Sequence, residues 1–368
     1  MKSKITAIIV TTLLAACKTE IKQEEQTMEE AIPQQEFYLG TYTDGDSEGI
    51  YRYALSQDGM LSKIGLSAKS ENPSFLALTT DGNTLLAVNE NEKGSIESYA
   101  VKGDSLTRIS TSSTEGAHPC FVTVDDKGDV LVANYSSGNV SFFKLDGNRL
   151  SPLLFSEQHE GKGKTDRQAG PHAHSAWFLP GTQNQVVSID LGTNELWFST
   201  IEGDSLVQKS KLQMPEGVGP RHLAFYPGKD WFYVVNELKS SVTLVKKEGD
   251  TYSVVNTVST LPEDFEGESF CADIHISSDG KFVYASNRGH QSIAIFKVQD
   301  DGNLESIGFE PVKGEHPRNF ALSPDEDFLL VANKNTNNLV SFKRDSATGL
   351  LQFIDEIEAP SPVCILFD

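Results

Sequence analysis

The sequence predicts an all-β chain: a single seven-bladed β-propeller of four-stranded antiparallel blades, closed by one blade that the N- and C-terminal strands share. Three observations predict it. A unit of strand, Gly/Asp/Pro turn and second strand ending in a polar residue occurs six times. The copies are NPSFLALTTDGNTLLAVNE from Asn72, HPCFVTVDDKGDVLVANY from His118, HSAWFLPGTQNQVVSIDLG from His174, RHLAFYPGKDWFYVVNEL from Arg221, CADIHISSDGKFVYASNRG from Cys271 and RNFALSPDEDFLLVANKN from Arg318. Their polar ends at Asn89, Asn134, Asp190, Asn236, Asn287 and Asn333 are 45, 56, 46, 51 and 46 residues apart, the period of a propeller blade. A seventh unit is divided between the termini. SPVCILFD at the end reads as a first strand, and EFYLGTYTDGDSEGIYRYAL from Glu36 reads as the strands that follow it.

The elements follow in chain order. Residues 1–16 combine basic Lys2 and Lys4 with an apolar run from Ile5 to Leu14, too short for a permanent membrane span, and end in the small residues Ala15 and Ala16. With Cys17 they resemble a bacterial lipoprotein signal, which makes Cys17 the lipid-bearing first residue of an exported, membrane-anchored chain, periplasmic or surface-facing. Residues 17–35 are rich in Glu, Gln and Lys and read as a solvated tether between the lipid and the body. Residues 36–368 form the propeller. After each polar end comes a third strand, such as GNVSFFKL or QSIAIFKV, and then a weaker fourth. A blade built from both termini leaves no open edge in the ring.

Composition excludes several functions. The 31 basic and 52 acidic residues give a net charge of −21 with no clustered basic face, so nucleic acid is not expected as a partner. No CxxC, HExxH or GxSxG occurs, which leaves a thiol redox site, a zincin site and a serine-hydrolase elbow without support. Cys120, Cys271 and Cys364 remain once Cys17 is set aside, and each sits in an apolar strand pattern as a buried free thiol. No cofactor is expected, and the chain is expected to act as a monomer.

A hairpin brings together residues symmetric about its turn. Arg221 and Glu237 are symmetric about residue 229, inside PGKD, and His118 with Asn134, His174 with Asp190, Cys271 with Arg288 and Arg318 with Asn333 follow the same rule. First-strand starts and second-strand ends therefore share one face of the disc and ring the mouth of the central channel. There the sequence gathers Glu90, His118, His172, His174, Asp190, Arg221, His222, Glu237, Arg288, His290, His316 and Arg318, six of the eight histidines among them. The repeated Asn reads as a turn cap, and the arginines, concentrated in an acidic protein, read as a local anion site.

The segments GPHAHS from Gly170, GVGPRHLAFYP from Gly217, VNEL from Val235, ADIHISSDGKFVYASNRG from Ala272 and HPRNFALSPDEDFLLVAN from His316 resemble the seven-bladed lactonase family. That family includes the propeller-type 6-phosphogluconolactonases and the carboxymuconate cyclases, and the likeness runs from about Phe37 to the C-terminus. The resemblance implies a small-molecule lactone as substrate. It implies catalytic roles for Glu237, Arg221, Arg288 and one of His172 and His174, between which the motif does not choose. His118, His222, Arg318, His316 and Glu90 complete the expected substrate site.

Lactone hydrolysis needs a base for water, cations for the carbonyl oxygen and an acid for the departing ring oxygen. Glu237 beside Arg221 suits proton transfer, and the adjacent cation favours base over acid. An exported protein does not meet an intracellular sugar phosphate, so the reading favours the lactonase class over the phosphogluconolactone assignment. Three alternatives stay open: a cyclase-type lactone-forming enzyme, a non-enzymatic binding propeller, and a metal-dependent lactonase using Glu90, Asn134, Asp190 and Glu237.

Overall fold

The computed structural model describes residues 34–103 and 105–368. The signal segment, Cys17 and the tether up to residue 33 lie outside the described residues. From Gln34 onward the chain forms seven antiparallel sheets arranged as successive blades. Blade seven joins the termini: the C-terminal strand Pro362–Phe367 pairs with Gln34–Thr41, followed by Gly49–Ser56 and Leu61–Lys69. The six repeats found in the sequence are the inner hairpins of blades one to six.

Blade closure is both apolar and ionic. Phe37, Tyr53 and Ile365 pack towards blade six on Phe328 and Leu330, while Tyr38, Ile50 and Cys364 pack towards blade one on Leu76, Leu85 and Tyr99. Burial of each large apolar side chain contributes about 1.5–3 kcal/mol, so blade seven is held from both sides. Arg52, buried in the same blade, pairs with Glu36 from the N-terminal strand and with Asp368, the last residue, at 2.5 Å.

Local chemistry fixes each hairpin. Asp125 accepts the backbone N–H groups of Lys127 and Asp129 at 2.9 Å, and Asp279 and Asp325 do the same for Lys281 and Asp327 at 3.0 and 3.1 Å. These are Asx turns, which explains the DG and DE signals at the strand-one to strand-two corners. At the opposite face the repeated Asn is a cap. Asn134 Nδ2 donates to Ser141 Oγ at 3.0 Å, Asn236 to Thr243 Oγ1 at 2.9 Å and Asn333 to the Val312 carbonyl at 2.9 Å.

The ladder differs from simple hairpin symmetry by one residue. Pro119 pairs with Asn134, Ala173 with Asp190, Pro220 with Asn236, Cys271 with Asn287 and Pro317 with Asn333, and in each case the first strand then carries one residue too many. Blade seven has the same irregularity, with Thr41 opposite Pro362 and Gly40 opposite Cys364. A bulge strengthens twist and re-aims a side chain. The residues at this position are Cys120, His174, Arg221, Ala272, Arg318 and Val363, so a repeated backbone defect supplies the inner layer of the channel.

Three cysteines, Cys120, Cys271 and Cys364, are free and buried, as their apolar surroundings in the sequence imply.

Candidate active site

Three layers of side chains stack at the channel mouth. Lowest is the residue after the bulge, which places His222 against Phe75 and Phe121 and Asp273 beside His222. Above it lies the bulge layer with His174, Arg221 and Arg318. In six of the seven blades the residue following the second-strand cap forms the wall, Tyr42, Glu90, Tyr135, Glu237, Arg288 and Lys334; blade three has the buried Leu191 there. His118, His172 and His316, which precede the first strands, stand at the rim.

Glu237 is the hub of one side. Its Oε2 accepts from Arg221 Nε at 3.1 Å and pairs with Arg288 Nη2 at 2.9 Å, while Oε1 accepts from Arg167 Nη2 at 3.0 Å. Burial would raise the pKa of this carboxyl, but Arg288, Arg221 and Arg167 outweigh it and bring it down to about 2. Both oxygens are thus occupied by guanidinium donors and the group stays ionised. The sequence expectation that Glu237 moves a proton does not fit this arrangement; its geometry is that of an anchor for arginines. Arg221 moves the other way from its paired state, down to about 10, because it is buried and faces Arg318 and Arg288.

Arg221 is held at Nη1 as well. It donates Nη1 to the Ala272 carbonyl and to His222 Nε2, the latter at 3.3 Å. His222 in turn meets Asp273 Oδ1 through Nδ1 at 2.9 Å, and Asp273 Oδ2 accepts from Asn319 at 2.6 Å and faces His275 Nε2 at 3.2 Å. Burial, then the neighbouring Arg221, lowers the His222 pKa to about 4, so it is neutral and accepts from the guanidinium. His222 therefore lies one layer below the mouth and supports Arg221, where the sequence placed it in the substrate layer.

The other side is built on Arg318. Its side chain is 17% exposed, 3.6 Å from Glu90 Oε2, with its guanidinium carbon 5.4 Å from the Tyr42 ring centre. Tyr42 donates its hydroxyl to Glu90 Oε2 at 2.8 Å. Among the described residues Arg318 donates no hydrogen bond, which leaves its planar fork directed at the channel. Arg288, by contrast, also donates to the carbonyls of Phe270 and Cys271, at 3.3 and 2.8 Å.

The histidines separate by depth. His172 stacks on Tyr135 with ring centres 4.5 Å apart, and its Nδ1 lies 2.9 Å from the Tyr135 carbonyl. Nδ1 therefore donates to that carbonyl, and Nε2 has no protein partner among the described residues. His174 is buried, 3.7 Å from Cys120 Sγ, and burial with Arg221 nearby holds its pKa well below the usual histidine value. Burial and the arginines Arg288 and Arg318 likewise lower that of His316 to about 3. The Cys120 thiol, pushed up to about 12 by burial, is neutral and no nucleophile.

Several expected residues lie elsewhere. His118 bonds Ser136 on the rim at 2.8 Å. His290 turns outward to Ser292 at 2.6 Å, between Phe265 and Phe309. Asp190 faces into blade three, accepting from the His172 and Thr193 backbone at 2.9 and 2.7 Å and meeting His159 Nδ1 at 2.8 Å. With Asn134 capping its own blade, the four candidate metal ligands Glu90, Asn134, Asp190 and Glu237 are not brought together. The described residues contain no group of three or more His, Cys, Asp or Glu side chains arranged to hold a metal.

Sequence reasoning missed Arg167, Asp273, Tyr42, Tyr135 and His159. Arg167 had one signal, the 56-residue gap between Asn134 and Asp190, which marks an insertion. Tyr42 and Tyr135 both follow a second-strand cap and were legible as a pair.

Comparison with known proteins agrees with this fold. The family model described as "Lactonase, 7-bladed beta-propeller" matches residues 36–367. A 6-phosphogluconolactonase of Bacillus subtilis is 38% identical over 341 residues, covering 90% of this chain and 97% of its own. The solved structure of a periplasmic gluconolactonase from Pseudomonas aeruginosa is 30% identical with a TM-score of 0.87, over 91% of this chain and 99% of its own. A protein of Lactobacillus plantarum is 32% identical with the same TM-score of 0.87, over 91% of this chain and all of its own. With a family match spanning nearly the whole propeller, the chain belongs to the seven-bladed β-propeller lactonase family.

Proposed function

We propose that the channel mouth hydrolyses the lactone of a sugar acid. The observation that carries this reading is Arg318: a largely buried guanidinium whose charge acts on Arg221 and that donates no hydrogen bond among the described residues. Four arginines against the carboxylates of Glu90, Glu237 and, one layer below, Asp273 leave the site positive in a chain of net charge −21, suited to an oxygen that gains negative charge.

In this reading His172 Nε2 takes a proton from water as the water oxygen attacks the lactone carbonyl carbon. Arg318 and Arg221 hold the carbonyl oxygen as it becomes an oxyanion. Collapse breaks the bond to the ring oxygen, which receives the proton from His172, and the product is the open hydroxy acid. Glu237 keeps Arg221 and Arg288 aimed. Relatives named 6-phosphogluconolactonase and gluconolactonase support an aldonolactone as the substrate class. A pH-stat screen of aldonolactones, phosphorylated and not, with and without chelator, tests it. Acid release above the uncatalysed rate is expected, unaffected by chelator, and its absence for every lactone would favour a binding propeller.

Export and lipidation at Cys17 remain part of the proposal, supported by the signal-like pattern of residues 1–17. Membrane fractionation of Cys17→Ser against wild type tests this, with release of the variant expected.

A further inference from the structure

The longest interval of the repeat delivers a side chain that no blade position supplies. Residues 159–172 leave the outer strand Phe155–Gln158 of blade two and return at Ala173, and both ends of this strap hang on one carboxylate. His159 Nδ1 meets Asp190 Oδ2 at 2.8 Å, and the His172 backbone N–H donates to Asp190 Oδ1 at 2.9 Å. Its middle is fixed as well. Gln168 is fully buried in a short 3-10 turn, with Nε2 donating to the Leu191 carbonyl at 2.8 Å and to Asn194 Oδ1 at 3.0 Å. Gly163 packs so tightly on Gln168 that a Cβ there would sit 2.5 Å from its side-chain amide.

Arg167, next to that anchor, is therefore presented outward from a fixed backbone. Its Nη2 donates to Tyr135 Oη and to Glu237 Oε1, each at 3.0 Å. Nε and Nη1 donate no hydrogen bond among the described residues, and the side chain is 51% exposed. Arg318 in blade six is the guanidinium that donates no hydrogen bond among the described residues, whereas the strap reaches residues of blades two, three and four. The mouth thus carries two anion grips on different sides of the ring. One suffices for a carbonyl oxygen that becomes charged.

We propose that Arg167 is a specificity-determining residue: the strap positions it to hold a permanent anionic group, carboxylate or phosphate, at the end of the ligand remote from the reacting carbonyl. The choice of sugar acids as ligands rests on the lactonase reading; the anion grip itself does not.

Calorimetric titration of the full chain with gluconate, glucarate and 6-phosphogluconate tests it, because these share one carboxylate and differ in the distal group. Wild type is expected to bind glucarate or 6-phosphogluconate at least about tenfold more tightly than gluconate, and which of the two tells carboxylate from phosphate. Arg167→Ala should abolish that preference while leaving gluconate affinity within about twofold, and Arg167→Lys should restore part of it. Gln168→Ala, with its melting recorded, should lower the preference through the strap alone. Equal weakening of all three ligands in Arg167→Ala, an unchanged preference, or no preference in wild type would overturn the proposal. Failure of the lactonase reading would show differently, as absent lactone turnover with the Arg167-dependent preference intact.

Discussion

Arg221 Nε donates to Glu237 Oε2 across 3.1 Å, although the ladder pairs neither residue with the other: Pro220 lies opposite Asn236, and Arg221 is the extra residue of a bulge. The backbone irregularity turns the arginine into the channel, and the residue after the cap turns its carboxylate to meet it. This relationship fixes what each group can do. A carboxylate engaged by three guanidinium groups orients them and is poorly suited to accept a proton.

Glu237→Gln should therefore lower both melting temperature and turnover without reshaping the pH profile. The buried arginines lose their counter-charge, at a cost of up to about 3 kcal/mol, moderated because Gln keeps one acceptor oxygen and Arg167 reaches solvent. The wild-type carboxyl titrates at about 2, far below the working range. Rate measurements from pH 5 to 9 should show a uniform drop, and a displaced acid limb would restore Glu237 as the base.

His172 and His174 are separable by substitution. His172→Asn should cut kcat by about 100-fold or more, the usual contribution of a positioned base. His174→Asn, in the buried layer beside Cys120, should act mainly on melting temperature. Turnover near wild type in His172→Asn with a large loss in His174→Asn would reverse the assignment.

The buried His159 predicts a pH dependence of stability. Burial would lower its pKa, but the hydrogen-bonded carboxylate of Asp190 and that of Glu157, 3.8 Å away, raise it above the ordinary value. Its contribution is then fully present below about pH 6.5, the unfolded value, and fades as pH rises through the folded one. The gap in melting temperature between wild type and His159→Gln should accordingly be larger at pH 6 than at pH 9. A gap that is constant or widens with pH would contradict it.

Removal of the last six residues, VCILFD, tests ring closure. It takes away buried Val363, Cys364 and Ile365, the partner strand of Gln34–Thr41 and the Asp368 partner of Arg52. Burial of Val363 and Ile365 alone is worth about 3–6 kcal/mol, comparable to a domain's whole stability. Circular dichroism on heating should show no cooperative transition near that of wild type. A cooperative, soluble truncated protein would count against closure by both termini.

The blades were legible because each repeat must turn at one face and cap at the other, and Asp, Gly and Asn mark those points in order. The layer that a side chain occupies was less so. A bulge adds one residue without any residue type of its own, so symmetry placed Arg221 opposite Glu237 when the ladder offsets them. Asp273 lies in an apolar strand pattern and shows its charge only beside His222, from another blade. Arg167 belongs to an insertion with no counterpart in the repeat, and only the 56-residue interval hinted at it.

The most direct test compares wild type with Arg318→Gln in a pH-stat, on an aldonolactone at fixed pH and excess substrate. Loss of a preorganised donor to an oxyanion typically costs about 100- to 1,000-fold in rate, so wild type should open the lactone well above the uncatalysed rate and Arg318→Gln should lose about that factor while melting near wild type. Wild-type turnover in Arg318→Gln, or none in wild type, would contradict an arginine-lined mouth that hydrolyses lactones.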